Sequence, residues 1–551
     1  MIEAKRLRLF QGIEFGRRDV ILILSSFLVF GIFMPLYFET GRYAYVAVAG
    51  AGGASALFLI LRPVIARDER RTNINSNIPL FITAFATLST SDANRVDLLE
   101  ILSRKDKIGY IREDLARLVN LVKRWKRGLS EAAMLLASRT PSEVFADFLA
   151  RFGHAIDSGQ DFQEFILNES DTVMSNFETA YISALYTFDL YKDMYVSMLL
   201  SFAFLVAFVM IMPVLIPMNV TVVFALSFLA IILGEAVLMY GIKIVLPNDP
   251  IWHDTGLRTE VQDHMRRILM MAGAACVAIL AVLFATRLVY RIPFYFSVAM
   301  VITPLAWPGM VGSRYEREIA KKDEMFGSFI RSLSGSAAAR GNMVIDALKS
   351  IVMHDFGTLT RDVRNLYKRL RYRINPVQAW RAFSADTGSH LIEVFSESYV
   401  ESVELGADAG KSGNIVANNF DRVVRLRKRR HSSVTSFVGV IYGITGGLAF
   451  SLAISYGVLE IINQVFRTFP PSEISDFGIF IGQPTAALLT IQVFLMAMLI
   501  VHSFIAGIAL KVSDGGKMIH GLHHGVFMTW MISFIVYGTL IITRLILGTG
   551  I

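Results

Sequence analysis

Apolar residues in this chain fall into two kinds of stretch. Nine runs are long enough to cross about 30 Å of hydrocarbon as helices; they occupy approximately 20–38, 43–61, 195–217, 220–241, 268–286, 292–312, 436–459, 487–510 and 526–547. Between them lie two long charged segments, 62–194 and 313–435, patterned as amphipathic helices. In the first, IREDLARLVNLVKRW places Ile111, Leu115, Leu118, Val119 and Val122 on one helical face. Adding 248 reaches Leu359, Val363, Leu366, Tyr367 and Leu370, all apolar. Asp114 maps onto Asp362, Lys123 onto Arg371, Phe81 onto Phe329 and Val96 onto Val344.

The chain therefore reads as a tandem repeat: two spans, a helical domain and two spans, then the same again, with a ninth span appended. Four spans precede the second copy, so both copies share one orientation, which predicts pseudo-twofold symmetry about the membrane normal. The expected fold is an all-α polytopic membrane protein with two helical-bundle domains in a parallel repeat. Its divisions are a tail with spans 1 and 2 (1–61), a first domain (62–194), spans 3 to 6 (195–312), a second domain (313–435) and spans 7 to 9 (436–551).

Composition agrees. With 54% hydrophobic and 18% charged residues, the chain is too apolar for a soluble protein and too polar to lie wholly in lipid. The single cysteine, Cys276, sits in an apolar run, which excludes an intramolecular disulfide and a cysteine metal cluster. Lys5, Arg6, Arg8, Arg17 and Arg18 precede the first span, whereas the turn after it carries Arg42. The positive-inside rule then predicts a cytoplasmic N-terminus, an extracytoplasmic C-terminus and both charged domains in the cytoplasm of a multi-pass plasma-membrane protein. PLYFETGRY offers no signal-peptide cleavage site after the first run. Arg287 and Arg291 fall in an external turn and run against this count; a re-entrant pair of spans would leave the two domains where they are.

No strand alternation appears in either domain, and four to six helices fit each length. Thr140-Pro141-Ser142-Glu143 reads as a capping box ahead of Val144, Phe148, Leu149 and Phe152, with Asn375-Pro376-Val377-Gln378 as its counterpart one repeat later. Gly159 and Gly406 stand where helices end in left-handed caps.

Signals of chemistry are sparse. GADAGKS is one residue short of a phosphate loop, because Leu405 stands six before Lys411, and it follows the helical stretch FSESYVESVEL; it reads as a helix-ending turn. His520, His523 and His524 lie in a short turn with no carboxylate or cysteine ligand beside them in sequence, so an interfacial loop is the better reading than a metal site. HExxH, GxSxG and paired membrane carboxylates are absent. No catalytic, cofactor or metal residues are expected, and the chain is not read as an enzyme. Glu235, His502 and Arg544 are polar groups scattered within spans; a transporter would rest on Glu235. Small residues in AVAGAGGASA and around Gly443, Gly446 and Gly447 predict close helix packing, within the monomer or in a homodimer.

The remaining signal is charge. Lys123, Arg124, Lys126 and Arg127 cluster in the first domain, and Arg361, Arg364, Lys368, Arg369, Arg371 and Arg373 in the second. RLRKRRH, from Arg425 to His431, flanks a span and reads as a topology signal facing anionic lipid. The 361–373 set lies on the polar face of a helix far from the bilayer in sequence, where a soluble partner or solvent meets it. Glu393, Glu397, Glu401 and Glu404 in the same domain argue against nucleic acid.

The patterns IPLFITAFATLSTSDANRVDLLEIL and FGSFIRSLSGSAAARGNMVIDALKSI, each followed by the amphipathic helix, a glycine turn and a pair of spans, resemble the type II secretion F-domain family. These are the polytopic platform proteins of type IV pili and related machines, and the long tandem form is most similar to the archaellum (archaeal flagellum) platforms. The resemblance covers nearly the whole chain. It implies an adaptor without catalytic residues: a cytoplasmic hexameric ATPase docks on the helical domains, and the spans gather pilin- or archaellin-like subunits into a filament that the platform also helps to rotate. A platform for an adhesive pilus or type II-like secretion system is the alternative within the class, and a parallel-repeat transporter the alternative outside it. The docking candidates are Arg361, Arg364, Lys368, Arg369, Arg371, Arg373, Glu393, Glu397, Glu401, Glu404, Lys123 and Arg124.

Overall fold

A computed structural model describes residues 69–215, 220–257, 259–468 and 485–547. Helix α1 covers 69–88. It is followed by α2 (Arg95–Ser103), α3 (Ile111–Lys123), α4 (Leu129–Ala137), α5 (Glu143–Asp157), α6 (Phe162–Leu215), α7 (Val220–Val245) and α8 (Glu260–Ala285). Then come α9 (Phe294–Ile302), α10 (Ala306–Ala338), α11 (Val344–Ile351), α12 (Thr360–Arg371), α13 (Pro376–Thr387), α14 (His390–Glu404), α15 (Ala409–Thr468), α16 (Thr485–Ser513) and α17 (Leu522–Leu547). Seven stretches among the described residues are long and apolar enough to cross a membrane: within α6, α7, α8, α9 with α10, α15, α16 and α17. Each coincides with an expected span; the runs at 20–38 and 43–61 lie outside the described residues.

The described residues divide into two compact units: 69–78 with 99–160, and 79–98 with those from 161 to 547. In the first unit, α3 buries Ile111, Leu115, Leu118 and Val119, and Phe145, Phe148 and Phe152 stack along α5 at 6.2 and 6.1 Å. Asp114 is buried on the same side of α3 and accepts from Arg70 at 2.8 Å. In the second unit, α12 buries Val363, Leu366 and Leu370, and the equivalent Asp362 lies 2.7 Å from Lys322. Both copies thus hold one aspartate beneath the stripe and neutralise it with a cation.

Burial raises the carboxyls of Asp114 and Asp362 above the ordinary aspartate range. The folded chain then holds these protons more tightly than the unfolded chain, so both groups favour folding at low pH and lose that contribution as pH rises through the folded value. Denaturation of the native chain should therefore show a larger stability loss as pH rises above about 4 than the Asp114→Asn/Asp362→Asn variant shows.

Backbone conformation repeats as well. Left-handed residues recur at Gly109 and Gly357, at Lys126 and Arg373, and at Gly159 and Gly406. The last two are the expected helix ends: the amide of Gln160 bonds Ala155 O at 3.1 Å and that of Ala407 bonds Ser402 O at 2.9 Å, a six-to-one closure that needs φ of +67° and +84° at the glycine. The expected pairing of capping boxes is corrected. Ser142, and not Thr140, caps α5 by accepting from the Phe145 amide, and its counterpart is Ser389, which accepts from the Ile392 amide at the start of α14. Asn375 does cap its helix, but that helix is α13, whose counterpart is α4 with Gly128 as its cap. Proline at two helix starts made unrelated turns look alike.

The second unit is organised by α6 and α15. They contain 54 and 60 residues, roughly 80 and 90 Å at about 1.5 Å per residue, against a hydrocarbon layer of about 30 Å. Each therefore runs unbroken from an extramembrane half into a span, with no interruption at 194/195 or 435/436. The two helices lie side by side and point the same way. Ser170 meets Asn419 at 3.3 Å, and Phe188 packs edge-on against Phe437 at 5.6 Å; both pairs are 249 residues apart. That is two more than the 247 relating Gly159 to Gly406, so the contacts join neighbouring, near-equivalent levels of two parallel helices, as a parallel repeat packed side by side would. Around this pair α7, α16 and α17 complete an apolar bundle core that includes Val206, Ile231, Ile441, Leu499 and Ile532.

Candidate functional site

The densest polar structure lies where α15 enters its span. Arg427 and Arg430 are three residues apart, which places them on one helix face. Arg427 Nε donates to Asp249 Oδ2 at 2.7 Å, Nη1 to Asp323 Oδ2 at 3.0 Å and Nη2 to Pro250 O at 2.9 Å. Arg430, only 4% exposed, donates to Ser513 O at 2.6 Å, Pro247 O at 2.8 Å and Val512 O at 3.3 Å. This corrects the reading of RLRKRRH as lipid-facing: Arg425, Lys428 and Arg429 are exposed, but the other two arginines turn inward and tie α15 to α10, to the α7–α8 connection and to the end of α16.

That connection, 246–257, docks on the second helical domain. Its His253 amide donates to Gly388 O at 2.9 Å and its Ile251 O accepts from the His390 amide at 3.0 Å. The Asp254 amide donates to Glu393 Oε2 at 2.8 Å, and Arg381 Nε donates to Thr255 O at 3.0 Å. Trp252 Nε1 reaches Glu316 Oε1 at 3.2 Å. Glu316, in α10, also contacts Lys511 Nζ at 2.7 Å and His520 Nδ1 at 2.6 Å. The histidine turn therefore does have a carboxylate partner, brought in from α10, where sequence proximity indicated none. Among the described residues no group of ligands suits a metal ion; His524 bonds the Tyr442 hydroxyl at 3.1 Å and His523 the His520 carbonyl at 2.6 Å.

The docking candidates separate into two groups. Arg361, Arg364, Lys368, Arg371 and Arg373 are exposed along and just after α12, as are Glu397 and Glu404 on α14 and Lys123 and Arg124 at the end of α3. Arg369 is tied to Asp386 at 2.6 Å and Lys123 to Glu100. Glu401 is partly buried, and Glu393, 6% exposed, serves the 246–257 loop and is no surface residue. The even spacing of glutamates at 393, 397, 401 and 404 concealed that the start of α14 is covered. Beside the exposed acids, Met343, Ile345, Trp380, Tyr399 and Glu404 line a groove of about 480 Å³.

Within the membrane the expected scatter does not hold. Glu235 of α7 contacts His502 of α16 directly. Arg544 pairs with Glu460, with Nη2 2.8 Å from Oε1. GADAGKS forms a glycine turn followed by the Asp408 cap on the Lys411 amide at 2.9 Å.

Long helices continuous with spans, locked together by a buried charge network at the membrane boundary, define a polytopic membrane scaffold. Residues 81–210 match the family described as type II secretion system (T2SS), protein F. The whole chain is similar to Flagella accessory protein J of Methanocaldococcus jannaschii, with 34% identity over 97% of this chain and 94% of that one. It is 33% identical to Flagella accessory protein J of Methanococcus voltae over 89% of each chain. No solved structure matches. The chain belongs to the Flagella accessory protein J family, a family of non-enzymatic membrane proteins within the secretion F class.

Proposed function

We propose that this protein is the membrane platform of an archaellum, on which a cytoplasmic secretion-type ATPase drives the assembly, and the rotation, of a filament of archaellin-like subunits. In this reading the N-terminus and both helical domains, 62–194 and 313–435, are cytoplasmic and the C-terminus lies outside. The observation that carries it is the continuity of α6 and α15: a displacement applied to an extramembrane half reaches the span without crossing a flexible joint. The names of the relatives favour a flagellar filament over an adhesive pilus or a secretion system. Coupling requires contacts with the motor that differ between its nucleotide states.

The proposed docking face is the exposed edge of α12, carrying Arg361, Arg364, Lys368 and Arg371. Arg369 and Glu393 are left out of it because their partners lie within the fold. Binding of the purified ATPase to the full-length chain in nanodiscs should weaken at least about tenfold, equivalent to about 1.4 kcal/mol, in an Arg364→Glu/Lys368→Glu variant, and more steeply at low salt. Unchanged affinity in a variant of unchanged melting temperature would remove this face from the interface.

A further inference from the structure

Five helices converge on one ionisable pair inside the membrane bundle. Glu235 and His502 are 0% and 3% exposed, and Glu235 Oε1 meets His502 Nδ1. The other imidazole nitrogen, Nε2, lies 3.0 Å from Thr445 Oγ1 on α15. That hydroxyl oxygen also lies 3.7 Å from the Met528 sulfur of α17. The Tyr195 ring of α6 stacks on the imidazole with centroids 6.4 Å apart.

Two arrangements of the hydrogens satisfy these contacts. With the Thr445 hydroxyl turned to Met528, Thr445 accepts from His502 Nε2–H; a neutral imidazole has one N–H, so Nδ1 accepts and the hydrogen between Nδ1 and Oε1 belongs to the carboxyl. With the hydroxyl turned to Nε2, the imidazole hydrogen lies on Nδ1 and Glu235 is the carboxylate. Glu235 Oε2 has no hydrogen-bond partner. A carbonyl oxygen of a carboxylic acid tolerates the lack of a partner from the protein better than a buried carboxylate oxygen does, which favours the first arrangement. Beside the pair is a cavity of about 10 Å³, bounded by Glu235 and His502 and otherwise by apolar side chains such as Leu199, Ile231, Leu448 and Met498; it is near the size of a single water molecule.

We propose that Glu235 and His502 form an intramembrane proton-binding site, in which the Glu235 carboxyl holds the proton and donates it to His502 Nδ1. Transfer across the contact moves that proton from Oε1 to Nδ1 and leaves carboxylate and imidazolium, with no change in net charge. Release to solvent leaves a carboxylate and a neutral imidazole, and it requires α7 and α16 to part. The titratable group facing the pair from α6 is Tyr195, whose hydroxyl has no partner; α15 and α17 contribute Thr445 and Met528, which do not titrate. Proton occupancy is thereby tied to the packing of α7 against α16 and α15, a link that ATPase docking does not require.

Infrared spectroscopy of the full-length chain in nanodiscs, with isotope-labelled glutamate, tests this. The native chain at about pH 7 should show a label-shifted carbonyl band of a protonated carboxyl, a band that exposed, ionised glutamates do not give. The band should vanish in E235Q and move in H502L, which removes the acceptor. A native chain without the band, or a band that survives E235Q, overturns the proposal. Where E235Q does not fold, H502L decides, since a band unmoved by loss of the imidazole is equally fatal.

Discussion

Arg427→Met is expected to destabilise the folded chain by about 3–5 kcal/mol, the range for removing one partner of a buried ion pair. Arg427 is the shared counter-ion of Asp249 and Asp323, and methionine would leave two carboxylates in a largely closed site without the cation that hydrogen-bonds to both. Arg427→Lys should recover only part of the loss, because an ammonium cannot copy the two-pronged contact with Asp249. Adding Asp249→Asn and Asp323→Asn to Arg427→Met should recover more, since the cost lies mainly in uncompensated charge. Thermal unfolding in nanodiscs, read by tryptophan fluorescence from Trp252 on the adjoining loop, would measure all of these. If Arg427→Met melted with the native chain, the network would be ornamental and α15 would be held by apolar packing alone. Filament assembly should fail in Arg427→Met cells even where the protein accumulates, because the joint between helical domain and span is what the network stiffens.

Gly507→Val should be the most damaging change within the membrane bundle. A Cβ on Gly507 would lie 2.7 Å from Gly521 O and 2.9 Å from Gly525 N, so backbone, and not a movable side chain, is in the way. A Cβ on Gly309 would lie 2.7 Å from the His523 amide nitrogen. Glycines on α10 and α16 thus let those helices approach the start of α17 closely, as small residues do in lipid, where tight packing replaces the hydrophobic drive. Overpacking here should cost about 1–3 kcal/mol and expose the 513–522 turn to protease. Gly443→Ala and Gly538→Ala are the controls: nothing lies within 4 Å of a Cβ at either position, and they should be neutral or slightly stabilising, as expected for removing glycine from a helix interior. Equal damage at all three positions would mean that helix propensity, and not backbone contact, governs the bundle.

These two expectations mark where sequence reasoning reached and where it stopped. The small-residue face was placed at Gly443, Gly446 and Gly447, and of these Gly446 alone has a neighbour near, Ile535 at 3.5 Å from a built Cβ. The closest backbone approach uses Gly507, Gly521 and Gly525, which are spread over a helix, a turn and the next helix and form no local pattern. Likewise the basic run before α15 was visible, but its division into exposed Arg425, Lys428 and Arg429 and inward Arg427 and Arg430 depended on two segments, 246–257 and 511–516, far away in the chain.

The sequence by itself determined the helices, the spans among the described residues, the buried face of α3 and α12 and the doubling of the whole pattern, because each follows from the spacing of apolar residues within about one span's length. Tertiary structure alone decided that α6 and α15 lie parallel and in contact at near-equivalent levels, that Glu316 meets His520 and that Glu235 meets His502. Those contacts join residues between about 200 and 270 positions apart, and a polar group's partner at that range is set by how packed helices cross, which no local periodicity encodes.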